Sequence, residues 1–138
     1  MQNLLTAIVS KITTGPSSLY NDVGGRVYLD QAPDDAEFPY CVFLIVVDTP
    51  DNVFGKLGEE VAIQFSLFSA SSSVSEISTM YADLKALFDD VKLTVTSNTM
   101  VIMKRERLVT FMEDIVTTSG TQRVKAWNVD YFITLQAT

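Results

Sequence analysis

The 138 residues and 15.3 kDa are the size of one compact domain, and 47% hydrophobic against 20% charged residues excludes general disorder. Lys+Arg number 10 and Asp+Glu 17, so a net charge of -7 sets the chain against phosphate backbones and disfavours a dedicated nucleic-acid binder. Histidine is absent and Cys41 is the sole cysteine, which excludes His-based triads, imidazole zinc sites, intrachain disulfides and thiolate clusters, and fits a reducing compartment.

The first predicted element is a helix. Leu4, Leu5, Ile8, Val9 and Ile12 recur at 3.6-residue spacing, Gln2 or Asn3 is placed to cap the start, and Gly15-Pro16 ends it. The same stretch lacks a basic leader and a cleavage motif, so no signal peptide is expected. The longest apolar run, Tyr40 to Val47, falls far short of the roughly 20 residues a membrane helix needs. Gly24-Gly25 marks a turn, and a short strand follows from Arg26 to Leu29. The connector Asp30 to Pro39 carries Asp30, Asp34, Asp35 and Glu37. A solvated loop is the plain reading of that acidity; a cation site would lack EF-hand spacing, and a contact for a basic partner stays open.

Tyr40 to Val47 is apolar without alternation, between Pro39 and Asp48-Thr49-Pro50. That pattern predicts a central strand buried on both faces, with Cys41 as a small core residue and no base to activate it. Asp51 to Gly58 is a loop with Gly55 and Gly58, but without the spacing of a phosphate cradle. From Glu60 to Ser69, Val61, Ile63, Phe65 and Leu67 share one face of a strand. Ser73 and Glu76 form a capping-box pattern that opens a helix running to about Asp89, with Ile77, Met80, Tyr81, Leu84, Leu87 and Phe88 as its apolar stripe.

The last third reads as strands. Lys92 to Thr96 is a possible short one. Met100 to Met112 predicts a long strand whose middle, Lys104-Arg105-Glu106-Arg107, is exposed or bulged. Thr117 to Thr121, with Gly120, reads as a turn-rich loop, and Trp127, Val129, Tyr131, Ile133 and Leu135 line one face of a final strand. The resulting fold class is α+β, a mainly antiparallel sheet with two helices packed on one face in the order α-β-β-β-α-β-β, over one domain spanning residues 1–138. Phe68 and Phe132 fall on the other sheet face, which oligomerisation would cover.

No chemistry stands out. Glu59–Glu60, Asp89–Asp90 and Glu113–Asp114 are adjacent carboxylates, and neighbours diverge on strands and helices alike. Lys104, Arg105 and Arg107 are the basic cluster; a solvated strand middle, an anion patch and a charge-complementary subunit contact all fit it. No catalytic, cofactor-binding or metal residue is assigned, and no cofactor is expected. Elimination alone leaves a structural or binding role.

A family resemblance says more. Nearly the whole chain resembles the phage minor tail or tail-completion proteins. The matching features run in order: the helix Leu4–Ile12, Gly24-Gly25-Arg26-Val27-Tyr28, Ala32-Pro33, Pro39-Tyr40, and Gly55 and Gly58 before Val61-Ala62-Ile63-Gln64-Phe65. The helix Val74–Phe88 and the closing Val129-Asp130-Tyr131-Phe132-Ile133 complete the set. The longer Glu113 to Thr121 departs from the family's compact turn. The resemblance implies a tail terminator or head-to-tail joining protein: a ring, expected to be a hexamer of this chain, that caps the tail tube and meets a head connector. The virion tail, assembled in the host cytoplasm, is the implied location, with DNA only as passing cargo and no membrane. Acidic residues would line the lumen. Asp51–Gly58 and Glu113–Thr121 are the expected contact loops, with Phe54 and Leu57 as apolar anchors beside Lys56, Glu113 and Asp114; Arg26, Tyr28, Pro39 and Tyr40 are scaffold. A small cytoplasmic adaptor, or a small carboxylate-dependent enzyme with two acids in a deep pocket, are the alternatives.

Overall fold

A computed structural model describes residues 2–14, 17–50, 58–117 and 120–137. Its elements are α1 (Gln2–Thr13), α2 (Ser18–Asp22), β1 (Val27–Leu29), β2 (Tyr40–Pro50), β3 (Gly58–Ser69), α3 (Ser75–Phe88), β4 (Thr94–Val95), β5 (Asn98–Thr117) and β6 (Gly120–Ala137). The strands form one sheet in the order β1-β2-β3-β6-β5-β4. Every pairing is antiparallel except β1 with β2. The α+β class and the helices on one face of a mainly antiparallel sheet hold. The element order differs from the sequence expectation: three helices and six strands lie among the described residues, and the first strand pair is parallel.

The hydrophobic pattern explains the layers. On β3, Val61, Ile63, Phe65 and Leu67 are fully buried, as are Val129, Tyr131 and Ile133 on β6. Their registers coincide, Val61 with Ile133, Ile63 with Tyr131 and Phe65 with Val129, so alternation on two strands makes one apolar surface. The helices cover it. Leu4, Ile8 and Ile12 of α1, Leu19 of α2, and Ile77, Met80, Leu84 and Phe88 of α3 join the same core. Phe65 sits at its centre, stacked on Phe88 at 4.9 Å and Phe43 at 5.9 Å, with Tyr131 edge-on at 5.7 Å. Each such ring contributes about 1.5–3 kcal/mol through burial.

Several local expectations are corrected. Val9 leaves the α1 stripe and is 43% exposed, because it lies about 100° round the helix from Ile8. Asn3 is inside α1, and its amide nitrogen donates to Thr96 O at 2.9 Å, tying the helix to the turn between β4 and β5. Helix α2 escaped the sequence reading because five residues are too few for periodicity; Ser17 caps it, accepting from Tyr20 N at 3.2 Å. The capping box is not made. Helix α3 begins at Ser75, and Glu76 instead accepts from the buried Ser69 hydroxyl at 2.6 Å, since that hydroxyl is shut off from water. Strand β2 is buried on both faces only at its start. Val46 and Val47, beyond the last residue that β1 pairs with, are exposed. The predicted bulge in β5 is present, between Arg105 and Arg107.

Candidate contact surface

The face of the sheet away from the helices is built by the other parity of the same strands. Two cross-strand rows run over β3, β6 and β5: Gln64–Asp130–Arg107, and Phe68–Ala126–Phe111. In the first, Gln64 Nε2 donates to Asp130 Oδ1 at 3.0 Å and Arg107 Nε to Asp130 Oδ2 at 2.8 Å. Around this polar row lie Val47, Val109, Phe111 and Phe132, each 40–51% exposed. The bulge makes this possible. One extra residue at Glu106 switches the parity of β5, so Arg107, Val109, Phe111 and Glu113 share the open face.

The hairpin of β5 and β6 runs past the end of β3, whose last partner is Lys125. Its far end closes over the open face: Glu113 and Ile115 line a groove of about 360 Å³ with Tyr40, Val42, Leu44 and Phe68. Tyr40 packs between Phe68 at 4.9 Å, Phe38 at 5.1 Å and Tyr28 at 5.9 Å. Burial, then the nearby charge of Glu113, raises its phenol above the ordinary value and keeps it neutral. Arg26 Nε donates to Pro39 O at 3.0 Å and so clamps the connector that delivers Tyr40. Phe38–Pro39 is a cis peptide bond.

The expected contact residues separate. Glu113 is exposed on the open face at the groove. Asp114 is exposed and opposite Arg123 across the hairpin. Phe54, Lys56 and Leu57 lie outside the described residues. The segment Glu113–Thr121 is not a loop as expected: β5 continues to Thr117 and β6 starts at Gly120, with Glu113 paired to Val124 and Asp114 to Arg123. Opposite charges and β-branched Ile115 and Val116 favour pairing there. Sequence reading missed Val109, Phe111 and Arg107 as surface residues of one face; the signal was the odd-numbered stripe after the bulge.

The basic cluster is largely satisfied within the chain. Arg105 Nε donates to both Asp89 oxygens at 3.2 Å and its Nη1 to Tyr81 Oη at 2.8 Å. Tyr131 Oη donates to Asp89 Oδ1 at 2.6 Å; burial, then this bond, pushes the phenol well above its ordinary value. Asp89 and Asp90 thus anchor the end of α3 to β5, where Asp90 N also donates to Met103 O at 3.0 Å. Cys41 is wholly buried, and desolvation pushes its thiol up to about 12, so it is inert at neutral pH.

Two carboxyl pairs do meet. Burial, then a hydrogen bond and the charge from Asp83, raises Asp22 to about 7 where α2 meets α3. A hydrogen bond with Asp48, then burial, raises Glu59. Asp22 borders a cavity of about 410 Å³ with Ser75, Glu76, Thr79 and Met80. In each pair the neighbouring carboxyl favours the protonated form of Asp22 or Glu59. No group of three or more His, Cys, Asp or Glu fit to hold a metal ion lies among the described residues. Nor is any helix there long and apolar enough to cross a membrane.

Residues 14–128 match the family model described as tail completion protein gp17. No curated protein matches the chain. Among solved structures 21 chains match. One, described as the virion of a native gene transfer agent (GTA) particle, superposes with a TM-score of 0.71 at 10% identity, covering 96% of this chain and 93% of that one. That likeness is one of fold.

Proposed function

This chain belongs to the tail completion protein gp17 family and is a structural protein of the phage tail; we propose that it terminates the tail tube and joins it to the head as one subunit of a ring, six copies being the expected number. The family match over residues 14–128 carries this reading. A ring of identical subunits needs one heterologous contact and two axial faces. The exposed Val47, Val109, Phe111 and Phe132 on the helix-free face supply apolar area that a lone subunit leaves in water.

In this reading the partners are further copies of the chain, the tail tube protein and the head connector protein, with DNA passing through. Assembly takes place in the host cytoplasm. The contact residues are Phe54 and Leu57 as apolar anchors with Lys56, and Glu113 and Asp114 on the hairpin. The net charge of -7 supports an acidic lumen, whose repulsion keeps exiting DNA from sticking; an inner wall found neutral or basic would sink that part. No reaction is assigned to a structural tail protein of this family.

Inactivating the gene in a tailed particle that carries it tests the function. Electron microscopy should show full heads beside unattached tails with tubes of uneven length, and supplying the chain in trans should restore joined particles. Joined particles of normal tail length without the chain would overturn the reading. Substituting Phe54 and Leu57 together by Ala should reproduce the defect with a folded protein, and full assembly by that variant would remove the loop from the contact set.

A further inference from the structure

The outer edge of β5 is protected unevenly. Its inner edge pairs with β6 from Asn98 to Thr117. On the outer side, β4 pairs at Asn98 and Thr99, Asp90 N donates to Met103 O, and Asp89 holds Arg105. Beyond the bulge, from Arg107 onward, no described strand pairs with this edge. Such an edge offers a row of backbone donors and acceptors to any passing strand. Natural edges are blunted by charge, Pro or a bulge. Leu108-Val109-Thr110-Phe111-Met112 has no charge, no Pro and no Gly, and Val109, Phe111 and Met112 are 40–49% exposed. Charges stand only at its two ends, Arg107 and Glu113, and they are opposite in sign.

That arrangement is self-complementary. We infer that this edge pairs antiparallel with the same edge of a second copy, about a two-fold axis through Thr110, joining two sheets into one. In this register Arg107 faces the second copy's Glu113, Leu108 its Met112 and Val109 its Phe111, each contact occurring twice as in any isologous interface. Arg107 and Glu113 share the open face, so the charges meet on one side. Arg107 bonds Asp130 through Nε, and its side chain is 64% exposed, leaving the rest of the guanidinium to reach across. The bulge at Glu106 ends the pairing before that residue would meet Asp114. A parallel, in-register pairing would put Arg107 on Arg107 and Glu113 on Glu113. The contact goes beyond the ring reading, since a two-fold contact is of a different kind from the head-to-tail contact that closes a ring.

The full chain with Thr110→Cys tests it. On the axis the two Thr110 Cα atoms would be about 4.5–5.5 Å apart, within disulfide range. Cys41 is buried and supplies no competing thiol. Light scattering of the parent should give twice 15.3 kDa. Mild oxidation should link Thr110→Cys into a covalent dimer, while Leu108→Cys, displaced from its own counterpart by about 14 Å along the strands, should stay unlinked. Glu113→Arg should give monomers, and adding Arg107→Glu should restore the dimer. A monomeric parent, or equal linking of Leu108→Cys and Thr110→Cys, would overturn the inference. So would a closed ring in which Thr110→Cys does not link, although that result would leave the tail reading standing. A parent chain that dimerises in this way yet is dispensable for tail completion would sink the tail reading alone.

Discussion

The two faces of the one sheet differ in what they are made of, although the same strands build both. Toward the helices, β3 and β6 present Val61, Ile63, Phe65, Val129, Tyr131 and Ile133, all without exposure. Away from them, the same strands present Ala62, Gln64, Asn128, Asp130 and Phe132, with a hydrogen-bonded polar row set among exposed apolar side chains. The first face is fixed by burial within the chain. The second is too polar to be a core and too apolar for a solvated surface, which is the composition of a surface that associates. Fold and assembly are thereby separated by strand parity, and substitutions on one face should leave the other property largely intact.

The largest effect is expected in the core. Phe65→Ala should cost about 3–5 kcal/mol, because three aromatic neighbours cannot close the cavity, and a urea or guanidinium midpoint should report it; a loss under 1 kcal/mol would mean this face is not the core. Next comes Asp89→Ala. It leaves the buried Tyr131 hydroxyl without its acceptor and should cost about 1–3 kcal/mol. Arg105→Ala, which removes only the partly exposed partner, should cost less than about 1 kcal/mol. Equal losses would break the distinction.

The third concerns pH. Asp22 holds its proton to about 7 in the folded chain, against an ordinary value of 3.8. The folded state therefore binds the extra proton between these values, so this group's stabilisation is complete below about 4 and is lost as pH rises through about 7. Glu59, also raised, adds a slope of the same sign. Asp22→Asn should melt higher than the parent at pH 8 and show a flatter decline from pH 4 to 8; parallel melting curves would refute this. The smallest effect on stability belongs to the open face. Phe132→Ser should shift stability by no more than about 0.5 kcal/mol yet reduce tail completion in a complementation assay, and unimpaired completion would detach this face from assembly.

Much of the helix-facing side was legible because its signals are local and periodic. The α3 residues Ile77, Met80, Leu84 and Phe88 and the odd-numbered residues of β3 and β6 announce their burial by spacing alone. The bulge was legible from the charged run that interrupts β5. What escaped depends on distant partners. The parallel pairing of β1 is decided by the connector that Arg26 clamps, not by the sequence of Val27–Leu29. Glu76 turned from its expected cap because Ser69 lies beside it in space. The hairpin end looked like a loop because Asp114 and Gly120 are turn formers until Arg123 and Thr117 stand opposite. The contact surface was the least legible part, since the parity switch at Glu106 reorders which residues of β5 appear together.

Strand β6 follows all the others in the chain yet lies between β3 and β5 in the sheet. While a ribosome is still adding residues 120–137, the two halves of the sheet have no strand to join them, and β3 carries an open flank along its apolar residues. Folding of this subunit is then a closing event that follows synthesis of its central strand. A prematurely stopped chain would enter the cell as a sticky half-sheet with no finished outer surface to offer a growing tail.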